Sequence, residues 1–136
     1  MEDMQHVTTK FREIKNVLSA YFTQVLPQYE ITPIMIYTLQ FLRRNPDSIA
    51  VDIANEFGLT RGAVTQLLDK LEQDNLVQRK PHPISRRSLL IQVTDKGLRL
   101  SDSILADYNQ KIERLFADYT SEEMKILRQL LDKLPI

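Results

Sequence analysis

Cysteine is absent from this chain of 136 residues. Its absence excludes disulfide cross-links, thiolate nucleophiles, thiol redox switches and cysteine-ligated zinc sites. Histidine is scarce as well, because the chain has only His6 near its start and His82 in a proline-rich segment. Neither histidine is spaced to pair with a carboxylate or a nucleophile, and the sequence holds no glycine-rich phosphate loop. We therefore expect no enzyme activity and no cofactor, although a metal site built from carboxylates alone stays open.

Long apolar runs are also missing from the sequence. No stretch approaches the ~20 apolar residues that a membrane-spanning helix needs. The first residues lack the basic start and the apolar core of a secretory signal. The chain is 43% hydrophobic and 26% charged, which is typical of one globular domain. We expect a cytoplasmic protein without a membrane partner.

The net charge is zero, but the charges are unevenly distributed. The 18 basic and 18 acidic residues cancel over the whole chain. Residues 76–99 contain a single acid, Asp95, and an excess of basic residues, namely Arg79, Lys80, Arg86, Arg87, Lys96 and Arg99. Cancellation over a whole chain can hide such a local asymmetry, and this segment is the first indication of a polyanionic partner.

Apolar residues recur at helical spacing over most of the chain, and only three glycines interrupt them. We therefore predict a mainly α fold. An N-terminal apolar stripe covers residues 7–25 and is expected to end near Pro27. A second helix is predicted from Thr32 and Pro33 to about Arg44, because the threonine hydroxyl can cap a helix and proline suits its first turn.

A similar stripe returns near the C-terminus. It covers residues 98–119 on a long helix that is predicted to begin just after Thr94. Thr120 and Glu123 match a capping box, which predicts a last helix over residues 122–134. The two terminal stripes favour a homodimer built from both ends of the chain, and the alternative is that both are core of a monomer.

Residues 48–75 predict a helix-turn-helix. Two short amphipathic helices are separated at residues 58–60, where Gly58 can adopt a positive φ and Thr60 can cap the second helix. The polar face of that second helix carries Gly62, Thr65, Gln66, Asp69, Lys70 and Gln73. Such side chains near a helix N-terminus can meet base edges in a major groove, and the alternative is an ordinary solvated face.

A basic hairpin is predicted directly after the helix-turn-helix. Two strand-like runs, residues 76–80 and 88–94, flank a proline-rich segment that fits only a hairpin loop. Arg86 and Arg87 lie near the tip of this loop, and a hydrophobic core could not provide partners for both guanidinium groups. We predict a wing, because an arginine-tipped loop beside a recognition helix can enter the minor groove. The alternative is an exposed loop that happens to be basic.

Together these motifs resemble the MarR family of winged helix-turn-helix transcriptional regulators. The resemblance covers nearly the whole chain and rests on Ile31-Thr32, on IANEFGLTRGAVTQLLDKLEQDNLVQRK (residues 53–80) and on SRRSLLIQVTDKG (residues 85–97). Ser85 stands where the family usually has the aspartate that pairs with the wing arginine, here Arg87, so that ion pair is expected to be lost or replaced by a weaker hydrogen bond. Asn75 stands in place of a glycine and is expected to adopt the left-handed conformation.

The resemblance implies a winged helix-turn-helix lobe (31–99) flanked by dimerisation helices (1–30 and 100–136). It implies a homodimer that binds a palindromic operator in double-stranded DNA, and repression is the expected mode of regulation. The residues expected to contact base edges are Arg61, Gly62, Thr65 and Gln66, with Asp69 and Lys70 beside them. Arg87 is expected in the minor groove, and the expected phosphate contacts are Thr60, Arg79, Lys80, Arg86 and Ser88.

The resemblance also implies that a small, frequently phenolic or lipophilic effector binds between the dimerisation helices and the lobe. The candidate lining residues are Tyr21, Tyr37, Phe41 and Tyr108, and the alternative is that they are ordinary core. A second functional hypothesis is a winged-helix protein-interaction module that does not bind DNA. Ser85 and the zero net charge favour that alternative.

Overall fold

The computed structural model describes all 136 residues. Its regular elements are α1 (Glu2–Val25), α2 (Pro33–Arg44), α3 (Ala50–Phe57), α4 (Arg61–Gln73), β1 (Val77–Pro81), β2 (Leu89–Val93), α5 (Asp95–Leu115) and α6 (Ser121–Leu131). A 3-10 turn (Leu26–Tyr29) connects α1 to α2. No helix is both long and apolar enough to cross a membrane. The mainly α fold with one β-hairpin confirms the predicted fold class.

Local sequence signals account for the starts of α2, α5 and α6. Pro33 opens α2, as predicted. Thr94 and Thr120 accept hydrogen bonds from the backbone N–H groups of Gly97 and Glu123 at 3.0 and 3.1 Å, and these bonds cap α5 and α6. The capping box predicted for α6 is therefore present.

Three details of the predicted helices are wrong. Thr32 occupies the cap position of α2, but its exposed hydroxyl accepts no hydrogen bond there. α5 ends at Leu115, because the chain tightens into a turn in which the Tyr119 N–H donates to the Phe116 carbonyl at 3.0 Å. Tyr119 therefore lies outside the helix that was expected to carry it. α6 ends at Leu131, short of the predicted end, and a turn follows it.

β1 and β2 form a two-stranded antiparallel hairpin. Val77 lies opposite Val93, and Pro81 lies opposite Leu89 at the loop end. The backbone N–H of Ile91 on β2 also donates to the carbonyl of Ser48 at 3.0 Å. This bond ties the hairpin to the residues that precede α3, and so the wing is fixed relative to the helix-turn-helix.

The hydrophobic core lies among α2, α3, α4, α5 and the hairpin. Its fully buried side chains include Ile36, Leu39, Leu42, Ile53, Leu68, Leu71, Ile91 and Ile104. Gly97 allows the first turn of α5 to approach this core, because a Cβ there would collide with the Leu76 carbonyl and the Val93 side chain. The close packing makes this part of the chain a firm support for α4.

The two ends of the chain bury little apolar surface. Val25 is the one buried residue of α1, and α6 has none. α1 packs against α5, yet Phe11 on α1 is 42% exposed and Leu130 on α6 is 56% exposed. Both terminal helices therefore carry apolar side chains that the chain itself does not cover.

Candidate nucleic-acid interface

The turn between α3 and α4 determines where the second helix of the helix-turn-helix begins. Gly58 has a φ of 62° and ends α3 in the left-handed conformation. The N–H of Leu59 donates to the Ala54 carbonyl at 3.0 Å. Thr60 Oγ1 then accepts from the Ala63 N–H at 3.2 Å and caps α4. These are the turn and the cap that the sequence predicts.

α4 has one buried and one exposed face. The buried residues are Val64, Leu67, Leu68 and Leu71. The exposed face carries Arg61, Gly62, Thr65, Gln66, Asp69 and Lys70. The Thr65 hydroxyl donates to the Arg61 carbonyl at 3.0 Å, which leaves its oxygen lone pairs available on the surface. A Cβ at Gly62 would meet nothing within 4 Å, so no residue of this chain accounts for a glycine in the first turn of the helix.

Four exposed cations on α4 and the hairpin have no acidic partner. They are Arg61, Lys80, Arg86 and Arg87, and none takes part in a salt bridge. Lys70 differs from them, because its Nζ lies 3.3 Å from Asp74 Oδ1. Unpaired surface cations are the groups with which proteins neutralise nucleic-acid phosphates. Each of the four side chains is therefore available to an anionic partner, and Arg61 and Arg87 line the same groove.

Arg79, expected to contact phosphate, is already engaged within the chain. Its Nη2 donates to Asp69 Oδ1 at 2.8 Å, and its Nε lies 3.5 Å from Glu72 Oε2. The Arg79 side chain is 27% exposed, which is less than either carboxylate. The guanidinium links β1 to α4 and neutralises two acids on the exposed side of that helix.

A groove lies between α3, α4 and the hairpin and encloses a cavity of about 730 Å³. It brings together five of the residues that the sequence predicts as DNA contacts, namely Arg61, Thr65, Arg79, Arg87 and Ser88. The predicted contacts that do not line the groove are Thr60, Gly62, Gln66, Asp69, Lys70, Lys80 and Arg86. The groove therefore separates the N-terminal half of α4 from the wing.

Comparison with known proteins agrees with this geometry. A model of the MarR family matches residues 29–88, which run from the 3-10 turn to the end of the hairpin loop. The uncharacterized HTH-type transcriptional regulator YsmB of Bacillus subtilis (strain 168) is 25% identical over 134 residues, which cover 98% of this chain and 92% of YsmB. Over residues 29–88 the chain is thus similar to the MarR family.

Two further similar proteins extend the comparison. The HTH-type transcriptional repressor MdtR of Bacillus subtilis (strain 168) is 28% identical over 119 residues, which cover 82% of this chain and 77% of MdtR. A mutant of MepR from S. aureus, bound to an oligodeoxyribonucleotide, matches with a TM-score of 0.76 and 25% identity. The match covers 93% of this chain and 94% of MepR.

The wing loop of this chain is closed by hydrogen bonds to a histidine. His82 Nδ1 accepts hydrogen bonds from the backbone N–H groups of Ile84 and Ser85, both at 3.1 Å. The Ser85 hydroxyl reaches Ser88 Oγ at 3.4 Å, and no hydrogen bond joins Ser85 to Arg87. The interaction expected for an aspartate at position 85 is therefore lost. The sequence analysis assigned no role to His82. The feature that could have indicated one is its position between Pro81 and Pro83, which have no backbone N–H to donate.

An aromatic cavity of about 570 Å³ lies between α1, α2 and α5. Phe22 stacks on Tyr37 with ring centroids 5.3 Å apart and meets Tyr108 edge-on at 5.5 Å. All three rings line the cavity, together with Phe11 and Leu105. The cavity thus lies between a terminal helix and the lobe, and two of the four candidate effector-binding residues line it.

The other two candidates, Tyr21 and Phe41, do not line this cavity. Phe41 packs edge-on against Phe57 at 6.0 Å. The Tyr21 ring lies 5.7 Å from the ammonium group of Lys111. Phe22 takes the place expected of Tyr21, because it is rotated about 100° further around α1. The sequence signal for Phe22 was its spacing of four residues from Leu18, which also lines the cavity.

Proposed function

We propose that this protein is a transcriptional regulator of the MarR family, not an enzyme, and that it represses transcription by binding a palindromic operator in double-stranded DNA as a homodimer. The observation that carries the proposal is the set of four unpaired cations on α4 and the hairpin. Cations that neutralise DNA phosphates release condensed counterions, which drives binding. The oligodeoxyribonucleotide bound to the MepR mutant supports DNA as the ligand.

The proposed contacts follow from the position of each element. α4 lies in the major groove, where Arg61, Gly62, Thr65 and Gln66 meet base edges and Lys70 lies beside them. The wing follows the backbone, and Arg87 enters the minor groove. The residues proposed to contact phosphates are Thr60, Lys80, Arg86 and Ser88. We replace the phosphate contact expected for Arg79 with a positioning role, because its guanidinium is held by Asp69 and Glu72.

The homodimer is proposed from the apolar side chains that the terminal helices leave exposed. α6 buries no residue within the chain, although Met124, Ile126, Leu130 and Leu131 lie on it. A helix of this composition gains stability by burying those side chains against a partner. We assign residues 1–30 and 100–136 to dimerisation and residues 31–99 to DNA binding. Two lobes related by a two-fold axis would meet half-sites about 10 bp apart, or a multiple of that spacing.

A small-molecule effector is proposed for the aromatic cavity. The cavity contacts α1 and α5, which belong to the proposed dimer arms, and α2, which belongs to the lobe. A phenolic or lipophilic molecule that fills it would alter the spacing of the two lobes and release DNA. We assign Tyr37 and Tyr108 to this site, add Phe22, and leave out Tyr21 and Phe41.

The test is a titration of the protein into a duplex from the region upstream of its own coding sequence, followed by fluorescence anisotropy over a series of salt concentrations. A scrambled duplex is the sequence control. We expect tight, selective binding that weakens with salt. Arg87→Ala is expected to weaken binding and to lower the salt slope by about one unit, because one phosphate-proximal charge is lost.

Lys125→Ala is the matched control for charge, because Lys125 is an exposed cation on α6 that forms no salt bridge. It is expected to leave affinity and slope unchanged. An Arg87→Ala protein that behaves like Lys125→Ala would remove the wing from the interface. Equal, weak binding of both duplexes would favour the alternative of a protein-interaction module.

A further inference from the structure

The wing loop is organised around the imidazole of His82. Its Nδ1 accepts the backbone N–H groups of Ile84 and Ser85, each at 3.1 Å. The backbone N–H of His82 itself donates to the Ser88 carbonyl at 3.2 Å, on the other side of the loop. One residue therefore holds three backbone hydrogen bonds in the segment that joins the two strands.

No other group in the loop accepts these two amides. The N–H groups of Ile84 and Ser85 donate to no backbone carbonyl. Pro81 and Pro83 have no N–H with which to brace the loop. The remaining bonds within it are long, because Ser85 Oγ to Ser88 Oγ is 3.4 Å and the Ser88 N–H to the Ser85 carbonyl is 3.5 Å. The shape of the loop thus depends on an unprotonated Nδ1, which in the neutral ring places the proton on Nε2.

The shape of this loop determines where the wing cations lie. Arg86 and Arg87 directly follow Ser85, and no salt bridge orients either side chain. The positions of the two arginines are therefore determined by the loop backbone, which His82 holds in place. With serine at position 85, no carboxylate is present there to hold Arg87 directly.

We propose that His82 is the positioning residue of the wing. By accepting two amide hydrogen bonds at Nδ1, it holds the loop in the shape that presents Arg86 and Arg87 to DNA. The inference rests on the proposed DNA-binding function for its consequence. The contact itself is made with the chain's own backbone and not with DNA.

Three variants at position 82 separate the hydrogen-bond acceptor from the ring. His82→Asn places an amide oxygen on Cγ, where Nδ1 is attached, and asparagine accepts the N–H two residues on in an Asx-turn. His82→Phe keeps a ring without an acceptor, and His82→Ala removes both. We expect His82→Asn to bind the operator duplex within about two-fold of wild type, and the other two to bind on the order of ten-fold more weakly. If His82→Asn binds as weakly as His82→Ala, the acceptor is not the cause and the proposal is overturned.

A second measurement uses the free protein, so it does not depend on DNA binding. Proton–nitrogen NMR correlations of the imidazole are expected to show the proton of the neutral ring on Nε2 and none on Nδ1. Exchange of the Ile84 and Ser85 amide protons with water is expected to be on the order of ten-fold faster in His82→Phe. A proton on Nδ1, or equal exchange rates in the two proteins, would overturn the proposal. If both NMR results are as expected but no duplex binds, the role of His82 in holding the loop is supported. The proposed DNA-binding function is then wrong.

Discussion

Arg79 on β1 donates to the Asp69 carboxylate on α4 at 2.8 Å, so a salt bridge joins the wing to the second helix of the helix-turn-helix. The same guanidinium lies 3.5 Å from Glu72. Two acids on the exposed side of α4 are thereby neutralised on the surface that we propose faces DNA. The pair thus links the hairpin to α4, and in the proposed complex it would reduce the repulsion between α4 and phosphate.

Arg79→Ala is expected to weaken DNA binding on the order of ten-fold. The substitution leaves the carboxylates of Asp69 and Glu72 unpaired near phosphate, and it removes the link between β1 and α4. The free energy of unfolding is expected to fall by less than about 1 kcal/mol, because both carboxylates are exposed and salt bridges at the surface contribute little. Anisotropy titrations and urea unfolding measure the two effects separately.

A double-mutant cycle with Asp69→Asn is the control for Arg79→Ala. Removing one carboxylate in the Arg79→Ala background is expected to restore part of the lost affinity, because the charge that repels phosphate is gone. Additive losses in the double mutant would contradict the assigned role and favour a direct phosphate contact by Arg79.

The salt bridge between Arg79 and Asp69 could not be predicted from the sequence, whereas several local features could. The caps at Thr60, Thr94 and Thr120 were predictable, because each depends on residues within three positions along the chain. The left-handed Asn75, with a φ of 62°, was expected from the family resemblance, in which a glycine occupies this position. An ion pair between a strand and a helix depends on how the two elements pack, and that information is not local. The excess of cations in residues 76–99 is therefore visible in the sequence, but the partners of Arg79 are not.

Gly62→Ala is expected to stabilise the free protein and weaken its binding to DNA. A Cβ at this position meets nothing within 4 Å, so the free helix gains about 1 kcal/mol of stability from the better helix former. In the complex, the added methyl group would lie between α4 and the DNA in the first turn of the helix. Urea unfolding is expected to show a higher free energy of unfolding, and anisotropy titrations are expected to show a lower affinity for DNA.

Gln73→Ala is the matched control for Gly62→Ala, because Gln73 is exposed at the far end of the same helix. It is expected to change DNA affinity by less than about two-fold, the scale of an ordinary surface substitution. If Gly62→Ala binds DNA as tightly as wild type, the first turn of α4 does not closely approach the duplex.

Leu130→Glu is expected to convert the proposed dimer into monomers. Leu130 is 56% exposed within one chain, so a carboxylate there leaves the fold of the monomer intact. In a dimer the same carboxylate would be buried without a partner, which is costly. Light scattering is expected to report a mass near 15.9 kDa for the variant. Gln129→Glu introduces the same charge at the adjacent exposed position, and a monomeric Gln129→Glu protein would indicate a general effect of charge on α6.

Glu123 is expected to make the start of α6 sensitive to acid. The Thr120 backbone N–H donates to Glu123 Oε1 at 2.9 Å, and this bond, with a second contribution from the Thr120 side chain, lowers the pKa of Glu123 below its ordinary value. Because the pKa is lowered in the folded state, the stabilisation is fully present above the ordinary glutamate pKa. It is lost as the pH falls through the lowered pKa.

Carbon chemical shifts of residues 121–125, followed from about pH 6 to about pH 3, measure this loss. In wild type the helical shifts are expected to diminish toward the acid end of the titration. Glu123→Gln keeps an oxygen that can accept the Thr120 N–H but has no charge to lose, so its shifts are expected to stay level. Glu122→Gln is the control, because Glu122 makes no bond to the cap and the wild-type pH dependence should persist. Wild-type chemical shifts that do not change with pH would mean that the capping box does not stabilise the start of α6.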